Sequence, residues 1–537
     1  MKTILKLAAA LLLCITFLIS GCSNDNLLTP IEKEDTQNMP HITDELRIGV
    51  CSHVKLDPFQ IKNDEERLIC NLVYNGLVII DGKGHTKPCL AESWDISDDG
   101  KIYTFHLKKG VKWHDGQNLT SQDVIATFDR LFLLKETRYK EDKATVFPEL
   151  DYILDYSAPD ESTVVVSLIQ PFAGILGRMT FGIAPASYLK SQSNEENAEL
   201  VPGTGQFKVT NSTTDTITLE RNESYFGTKP IIAKVNVRMF GEKASAKQSF
   251  RKGEIDLLFI NNQDWNFFRD VKGMNLIQYP SSYLEFVALN QRNPIFEDAS
   301  VRKALLAGID RPAILQNAVQ GLGIIVDGPV LPHSWVFNSA VQSSMYNMDM
   351  AAQILKDAGW EDIDGDGIKE KRIKGKTHKF EFELLVNSSN SSRYQAAVDI
   401  QENLKEIGIS VRLVNLSWDE LKKRVLDKQY DAALMGWKLL TVPDLNSMFS
   451  SKAIKNGYNF VSYSEDELDA ILDKANVEKD EVKFQELMYE AQEIIARDVP
   501  YLFLYSPNSI VCVSERIKGV APDTSNVFDS ISKWYVE

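Results

Sequence analysis

Histidine and cysteine are too sparse and too scattered here to build a reactive centre by local pattern. The seven histidines stand at 41, 53, 85, 106, 114, 333 and 378, and no two are three or four residues apart. That spacing excludes the helical histidine pair that commonly holds zinc. HExxH, GxSxG, a Walker-type glycine loop and a GxGxxG turn are all missing. Without them there is no local sign of a metalloprotease, a serine hydrolase, a nucleotide hydrolase or a dinucleotide enzyme. A secreted hydrolase is the least favoured function class, and no cofactor is implied. Positive charge is also short. Lys and Arg number 59 against 75 Asp and Glu, for a net charge of −16. A nucleic-acid partner needs the opposite balance. Long apolar runs are confined to the first 22 residues, so no later segment reaches the roughly 20 residues of a membrane span.

That first stretch is the most informative local feature. Lys2 and Lys6 precede an almost unbroken apolar run, Leu7 to Ile19, which ends in Ser20-Gly21-Cys22. A run of about 13 residues is too short to anchor in a bilayer and reads as a secretory signal peptide. The small residues before Cys22 resemble a bacterial lipobox, in which cleavage precedes the cysteine and its thiol receives lipid. An ordinary signal peptide with a chance cysteine is the plainer alternative. Removing Lys2 and Lys6 with the leader takes the net charge from −16 to −18. Such a body is repelled by anionic lipid and favours standing off the membrane on a tether. The expected location is the extracytoplasmic face of the cell membrane. Residues 22–43, polar and with two prolines, form that tether.

Loss of Cys14 and modification of Cys22 leave Cys51, Cys70, Cys89 and Cys512. No CxxC occurs, and four cysteines in about 500 residues make no disulfide framework. Buried free thiols are expected, with a Cys51–Cys512 bond open if the terminal strands are neighbours.

More than 500 residues exceed what one core serves, so at least two domains are expected. Ordered sequence should begin with a strand at Leu46–Val50. Thr120-Ser121-Gln122-Asp123 before Val124, Ile125, Phe128 and Leu131 predicts a capped helix. From residue 286 a strand–helix rhythm sets in. A strand lies at 286–290 and helices at 298–309 and from Asp310-Arg311-Pro312. Strands at 380–386, 409–414 and 430–437 alternate with helices at 392–407 and from Ser417. This alternation predicts an α/β lobe with a mainly parallel sheet. After a helix over 480–497, strands at 501–505 and 510–513 return, which implies two lobes joined by two crossings.

Four local patterns bear on binding. His114-Asp115-Gly116 reads as a turn between a strand and the capped helix rather than as a catalytic pair. Gly203-Thr204-Gly205 could cradle an anion, but a tight turn accounts for it more simply. Asp362, Asp364 and Asp366 alternate around Gly365 and Gly367, a spacing able to wrap calcium; the twelfth position, which should supply a closing glutamate, is Ile373. A structural polar loop is the preferred reading, with these three aspartates as weak calcium candidates. Trp437, after Gly436 at the end of an apolar strand, is either core or a pocket wall, since strand carboxyl ends in α/β folds are where ligands sit.

Several blocks together resemble the family 5 extracellular solute-binding proteins, the peptide/nickel-type receptors of ABC importers. They run from Leu90-Ala91-Glu92-Ser93-Trp94 and Gly110-Val111-Lys112-Trp113-His114-Asp115-Gly116 through Gly203-Thr204-Gly205-Gln206-Phe207 and Tyr225-Phe226-Gly227. Leu289-Asn290, Val301-Arg302-Lys303-Ala304-Leu305, Tyr430-Asp431 and Gly436-Trp437 follow in order, so nearly the whole chain after the leader is covered. The resemblance implies an α/β, two-lobed periplasmic-binding-protein-like clamp (class II) with an extra subdomain in the first lobe. The implied bounds are a signal peptide at 1–21, a tether at 22–43 and a first lobe at 44–285. The first lobe carries the subdomain at about 76–200. A second lobe would cover 286–503, and a return to the first 504–537. It implies a non-enzymatic, monomeric capture protein for oligopeptides, working with a permease and its ATPase subunits. A nickel chelate, a sugar or a peptide-signal role stays open. In peptide receptors of this family an Asp shortly after Gly-Trp pairs with the ligand's α-amino group. Here Leu440 and Val442 stand where that acid is often found, leaving Asp444. The resemblance thus points to Trp437, Asp444, Asn290, Ser52 and His53 as ligand-binding residues, with Cys22 as the lipid attachment.

Overall fold

The computed structural model describes residues 44–138, 148–191, 201–342, 345–522 and 526–537. The leader, Cys22 and the tether at 22–43 lie outside the described residues. No helix among those described is long and apolar enough to cross a membrane.

Two large sheets organise the chain. The first has seven strands in the order 274–279, 509–514, 257–260, 45–50, 234–239, 216–221 and 207–212. Its central strand, Glu45–Val50, runs parallel to both neighbours. Leu46, Ile48 and Val50 are fully buried on it, next to Val235 and Leu257. The C-terminus closes the same core with Val527, Phe528, Ile531 and Trp534.

A four-stranded antiparallel sheet, 91–96, 102–107, 163–168 and 153–160, forms the extra subdomain around its own core. The helix Ser121–Arg138 packs on it with Val124, Phe128 and Leu131 fully buried. Asp123 accepts the Thr120 amide at 2.8 Å, holding the helix start, and the Ala186 amide at 2.7 Å. The His-Asp-Gly segment is a turn. His114 Nδ1 accepts the Gly203 amide at 3.2 Å while Nε2 donates to Gly205 O at 3.1 Å. Both glycines of Gly203-Thr204-Gly205 therefore face a half-buried neutral imidazole rather than an anion. Burial is what lowers that imidazole's pKa, to about 4.

The second sheet has six strands in the order 323–325, 501–507, 283–289, 432–438, 381–387 and 410–416. It is mixed, which corrects the mainly parallel expectation. Parallel pairing holds where helices return the chain, between 381–387 and both 410–416 and 432–438. Strand 283–289 instead runs antiparallel to 432–438 and to 501–507. The cause is topological: one strand enters this lobe from the first sheet and the other leaves toward it, so they pass in opposite senses. The helices start as their caps foretell. Asp298, Asp310 and Ser417 accept the amides of Ser300, Ala313 and Glu420. The crossings between sheets run through residues 280–282 and Asn508, whereas the expected bounds at 285/286 and 503/504 fall inside strands.

Cys51, Cys70, Cys89 and Cys512 are free thiols; Cys70, Cys89 and Cys512 are buried and Cys51 half-buried. Burial raises the Cys51 and Cys89 thiols to about 11, so they stay protonated at neutral pH.

Candidate functional site

A cavity of about 550 Å³ lies between the two lobes. The first lobe contributes the turn 84–86, strand positions Trp94, Ile96 and Tyr103, and the segment 171–180. The second contributes Trp335, the run Lys438–Val442 and the connection 476–484 between its last two long helices. Trp94, Tyr103, Phe172, Trp335 and Phe484 contribute aromatic rings to the wall, and Leu439 and Leu440 aliphatic surface. Such a wall, with a few polar groups, is the usual chemistry of a small-molecule pocket, and the volume falls within the usual range of about 300–1,000 Å³.

Among the contacts that join the lobes, three bear on the cavity wall. At the turn 81–86, the Trp335 amide donates to Lys83 O at 2.7 Å, and the His85 and Trp335 rings stack at 5.2 Å. Gly84 there has φ +92, and a Cβ would come within 2.6 Å of the Thr441 methyl. Only glycine lets the second-lobe loop approach this closely.

Asp444 and Arg178 make the second bridge. The guanidinium meets the carboxylate at 3.0 Å, with side-chain exposures of 9% for Arg178 and 10% for Asp444. Tyr152 donates to the same carboxylate oxygen at 3.2 Å, and the other oxygen caps the helix Leu445–Phe449 through the Ser447 amide. The guanidinium sits 5.1 Å from the Phe172 ring centroid, and Phe172 stacks on Tyr152 at 4.0 Å. Burial first, and then the neighbouring carboxylate, push the Tyr152 hydroxyl well above its usual range.

Asp64 makes the third bridge. It is bonded to Lys438, to Arg67 at 2.8 Å and to the Tyr283 hydroxyl at 2.7 Å. Burial favours the protonated acid, but these three partners outweigh it and hold the carboxyl well below the ordinary range.

A small annexe of about 40 Å³ adjoins the main cavity and shares Phe172, Leu440 and Val442 with it. Arg178 Nε and Asn446 Oδ1 belong to residues lining it, and both are buried without a hydrogen-bond partner.

The residues singled out from sequence are not all at this cavity. Asp444 lines the annexe, already engaged by Arg178. Trp437 takes the core alternative. Its ring lies 4.1 Å from Phe286 and 4.9 Å from Tyr501, half-buried against the second-lobe core, while its successors Lys438 to Val442 form the wall. Gly436 beside it is required because a Cβ would meet the Arg393 guanidinium at 2.5 Å and Glu285 at 2.8 Å, a bidentate pair lying over the strand. Asn290 is 5% exposed and brackets a loop, donating to Tyr430 O at 2.7 Å, and does not line the cavity. Ser52 bonds Glu65 at 2.9 Å and His53 is exposed; neither lines the cavity. Asp64, Tyr152, Arg178 and Trp335 were missed. None sits in a recognisable motif, and each gains its partner from more than 200 residues away.

Comparison with known proteins accords with this architecture. The model of the bacterial extracellular solute-binding proteins, family 5 (middle), matches residues 85–459. Oligopeptide-binding protein AppA of Bacillus subtilis is 30% identical over 548 aligned residues, covering 100% of this chain and 99% of that protein. Heme-binding protein A of Haemophilus influenzae is 27% identical over 474 residues, covering 83% of this chain and 84% of that one. The solved structure of B. subtilis AppA in complex with a nonapeptide matches with a TM-score of 0.69 at 29% identity, covering 92% of this chain and 99% of that chain. With the two-lobed α/β architecture and the interlobe cavity in place, this chain belongs to the family 5 bacterial extracellular solute-binding proteins.

Proposed function

We propose that this protein is the lipid-anchored capture subunit of an ABC importer, taking up oligopeptides outside the cell membrane and presenting them to a permease. The observation that carries this reading is the aromatic-walled cavity of about 550 Å³ enclosed between the lobes. Similarity to an oligopeptide-binding protein over the whole chain supports the ligand class. The sequence around Cys22 supports the anchor. ATP hydrolysis belongs to a separate subunit, and this chain contributes binding alone.

A peptide would lie along the cavity with its side chains against aromatic surface. Arg178 Nε and Asn446 Oδ1, of residues beside the annexe, are buried without a hydrogen-bond partner among the described residues. Asp444, neutralised by Arg178, is a poor receptor for a free α-ammonium. This supports recognition of backbone rather than of a charged amino end. A ligand that prefers the closed clamp shifts the population toward it, and that closed form is what a permease would engage.

A second reading keeps the fold and changes the ligand. With Asp444 tied and Leu440 half-exposed on the wall, the cavity also suits a non-peptide solute. Mass spectrometry of ligand released from natively purified protein separates the two. A mixed pool of short peptides supports capture of oligopeptides; a single chelate, sugar or tetrapyrrole replaces it.

A further inference from the structure

The loop between the helix Met348–Asp357 and the strand Glu370–Ile373 holds Asp362, Asp364 and Asp366 at alternate positions. Gly367, at the sixth position counted from Asp362, has φ +89. Position twelve is Ile373, so the sequence lacks the usual closing acid. The fold brings in another. Glu370, at position nine, turns inward, and one oxygen from each of Asp362, Asp364 and Glu370 lies within 4.8 Å of the others. Two oxygens on opposite sides of a calcium ion, each at about 2.4 Å, stand about 4.8 Å apart.

Glu370 supplies an independent sign of a ligand. It is 3% exposed, its Oε2 accepts the Ile363 amide at 2.9 Å, and its Oε1 is buried with no hydrogen-bond donor. A buried carboxylate oxygen without a donor calls for a cation. The cation at hand is Lys379, paired with Glu370 across the hairpin. Its ammonium is 3.1 Å from Asp364, in contact with Asp366, and 3.6 Å from Glu370 Oε1. One positive charge thus faces three carboxylates. The lysine side chain is 39% exposed and free to swing into solvent.

We infer that residues 362–370 form a calcium site in which Asp362, Asp364 and Asp366 wrap the ion and Glu370 replaces the missing position-twelve acid, with Lys379 as the cation it displaces. A flexible, carboxylate-rich loop suits calcium better than magnesium, which demands a tight octahedron and keeps its waters. The site lies outside the ligand cavity and pins the loop that connects a second-lobe helix to its sheet. Its occupancy therefore acts on the stability of that lobe.

Terbium serves as the probe, because fully buried Trp360 stands two residues before Asp362 and can sensitise its emission. The full chain should bind terbium saturably at one site, with calcium competing at about 10⁻⁴–10⁻³ M, the range of extracellular modules. Glu370→Gln and, separately, Asp362→Asn should each weaken calcium at least 10-fold. Lys379→Met should tighten it several-fold by removing the competitor. Circular dichroism melts show whether each variant is folded, and the two acid variants provide independent readings. Calcium binding that is absent up to about 10 mM, that survives both acid substitutions, or that weakens in Lys379→Met overturns the assignment.

Discussion

Two ion pairs join the lobes, and they differ in solvent rather than in chemistry. Arg178–Asp444 is nine-tenths buried, whereas Lys438 and Asp64 keep side-chain exposures of 44% and 34%. Removing one partner of a buried pair leaves the other charge stranded, at a cost of about 3–5 kcal/mol. A half-exposed pair contributes about 0–1 kcal/mol because water and salt replace it. The two bridges should therefore divide the labour. Arg178–Asp444 is expected to set how strongly the clamp closes, and Asp64–Lys438 to contribute little beyond alignment.

The largest effect is expected at the buried bridge. Asp444→Asn or Arg178→Met should reduce ligand affinity about 100-fold or more, since about 3 kcal/mol is two decades. The melting temperature of the unliganded protein should move little, because the pair joins two lobes that each have a core. Titration calorimetry beside thermal melts reads both quantities. A large fall in melting temperature with unchanged affinity would make the pair part of the fold instead.

An intermediate effect separates folding from closure by pH. His114 is half-buried, its pKa lowered from 6.5 to about 4 chiefly by loss of solvent around the ring. The unfolded chain takes up that proton first. The stabilisation is complete above about pH 6.5 and is lost as pH falls toward 4, at most about 3 kcal/mol. Asp64 behaves differently, its carboxyl being held well below the ordinary range. Its bridge persists above the unfolded carboxyl pKa of about 4 and weakens only below it. Between pH 7 and 5 the melting temperature should drop while the Asp64 bridge stays intact, and His114→Gln should flatten that dependence. An equally steep pH dependence in the variant would assign it to other groups.

The smallest effect is expected at the exposed bridge. Lys438→Met should change affinity by less than about 5-fold, and the change should vanish in high salt. A loss comparable with that of Asp444→Asn would erase the distinction between the two bridges.

How much of this was legible in the sequence depends on the distance over which each feature is determined. Caps at Asp298, Asp310 and Ser417 were readable because a cap satisfies amides two or three residues away. The turn at His114-Asp115-Gly116 was readable for the same local reason. The two-lobed plan followed from the return of apolar strands after the last long helix. The antiparallel pairing of 283–289 was not, because it depends on where the chain enters and leaves the second lobe. Trp437 was ambiguous by nature, since a tryptophan at a strand end serves a core and a wall equally well. Arg178–Asp444 is separated by 266 positions, and neither residue carries a local signal of the other. Glu370 carries no signal in the linear spacing, which places the closing acid at the twelfth position, whereas the hairpin turns the ninth inward.

The central claim is that ligand occupies the cavity walled by Leu440 and closed by Arg178–Asp444. The most direct test is mass spectrometry of ligand released on unfolding natively purified wild-type protein and Leu440→Trp. Leu440 is 49% exposed and lines both the main cavity and the annexe, so an indole there fills space without disturbing a core. The expected result is near-stoichiometric release of short peptides from wild type and little or none from a variant with the same melting temperature. An undiminished ligand pool from folded Leu440→Trp would contradict it.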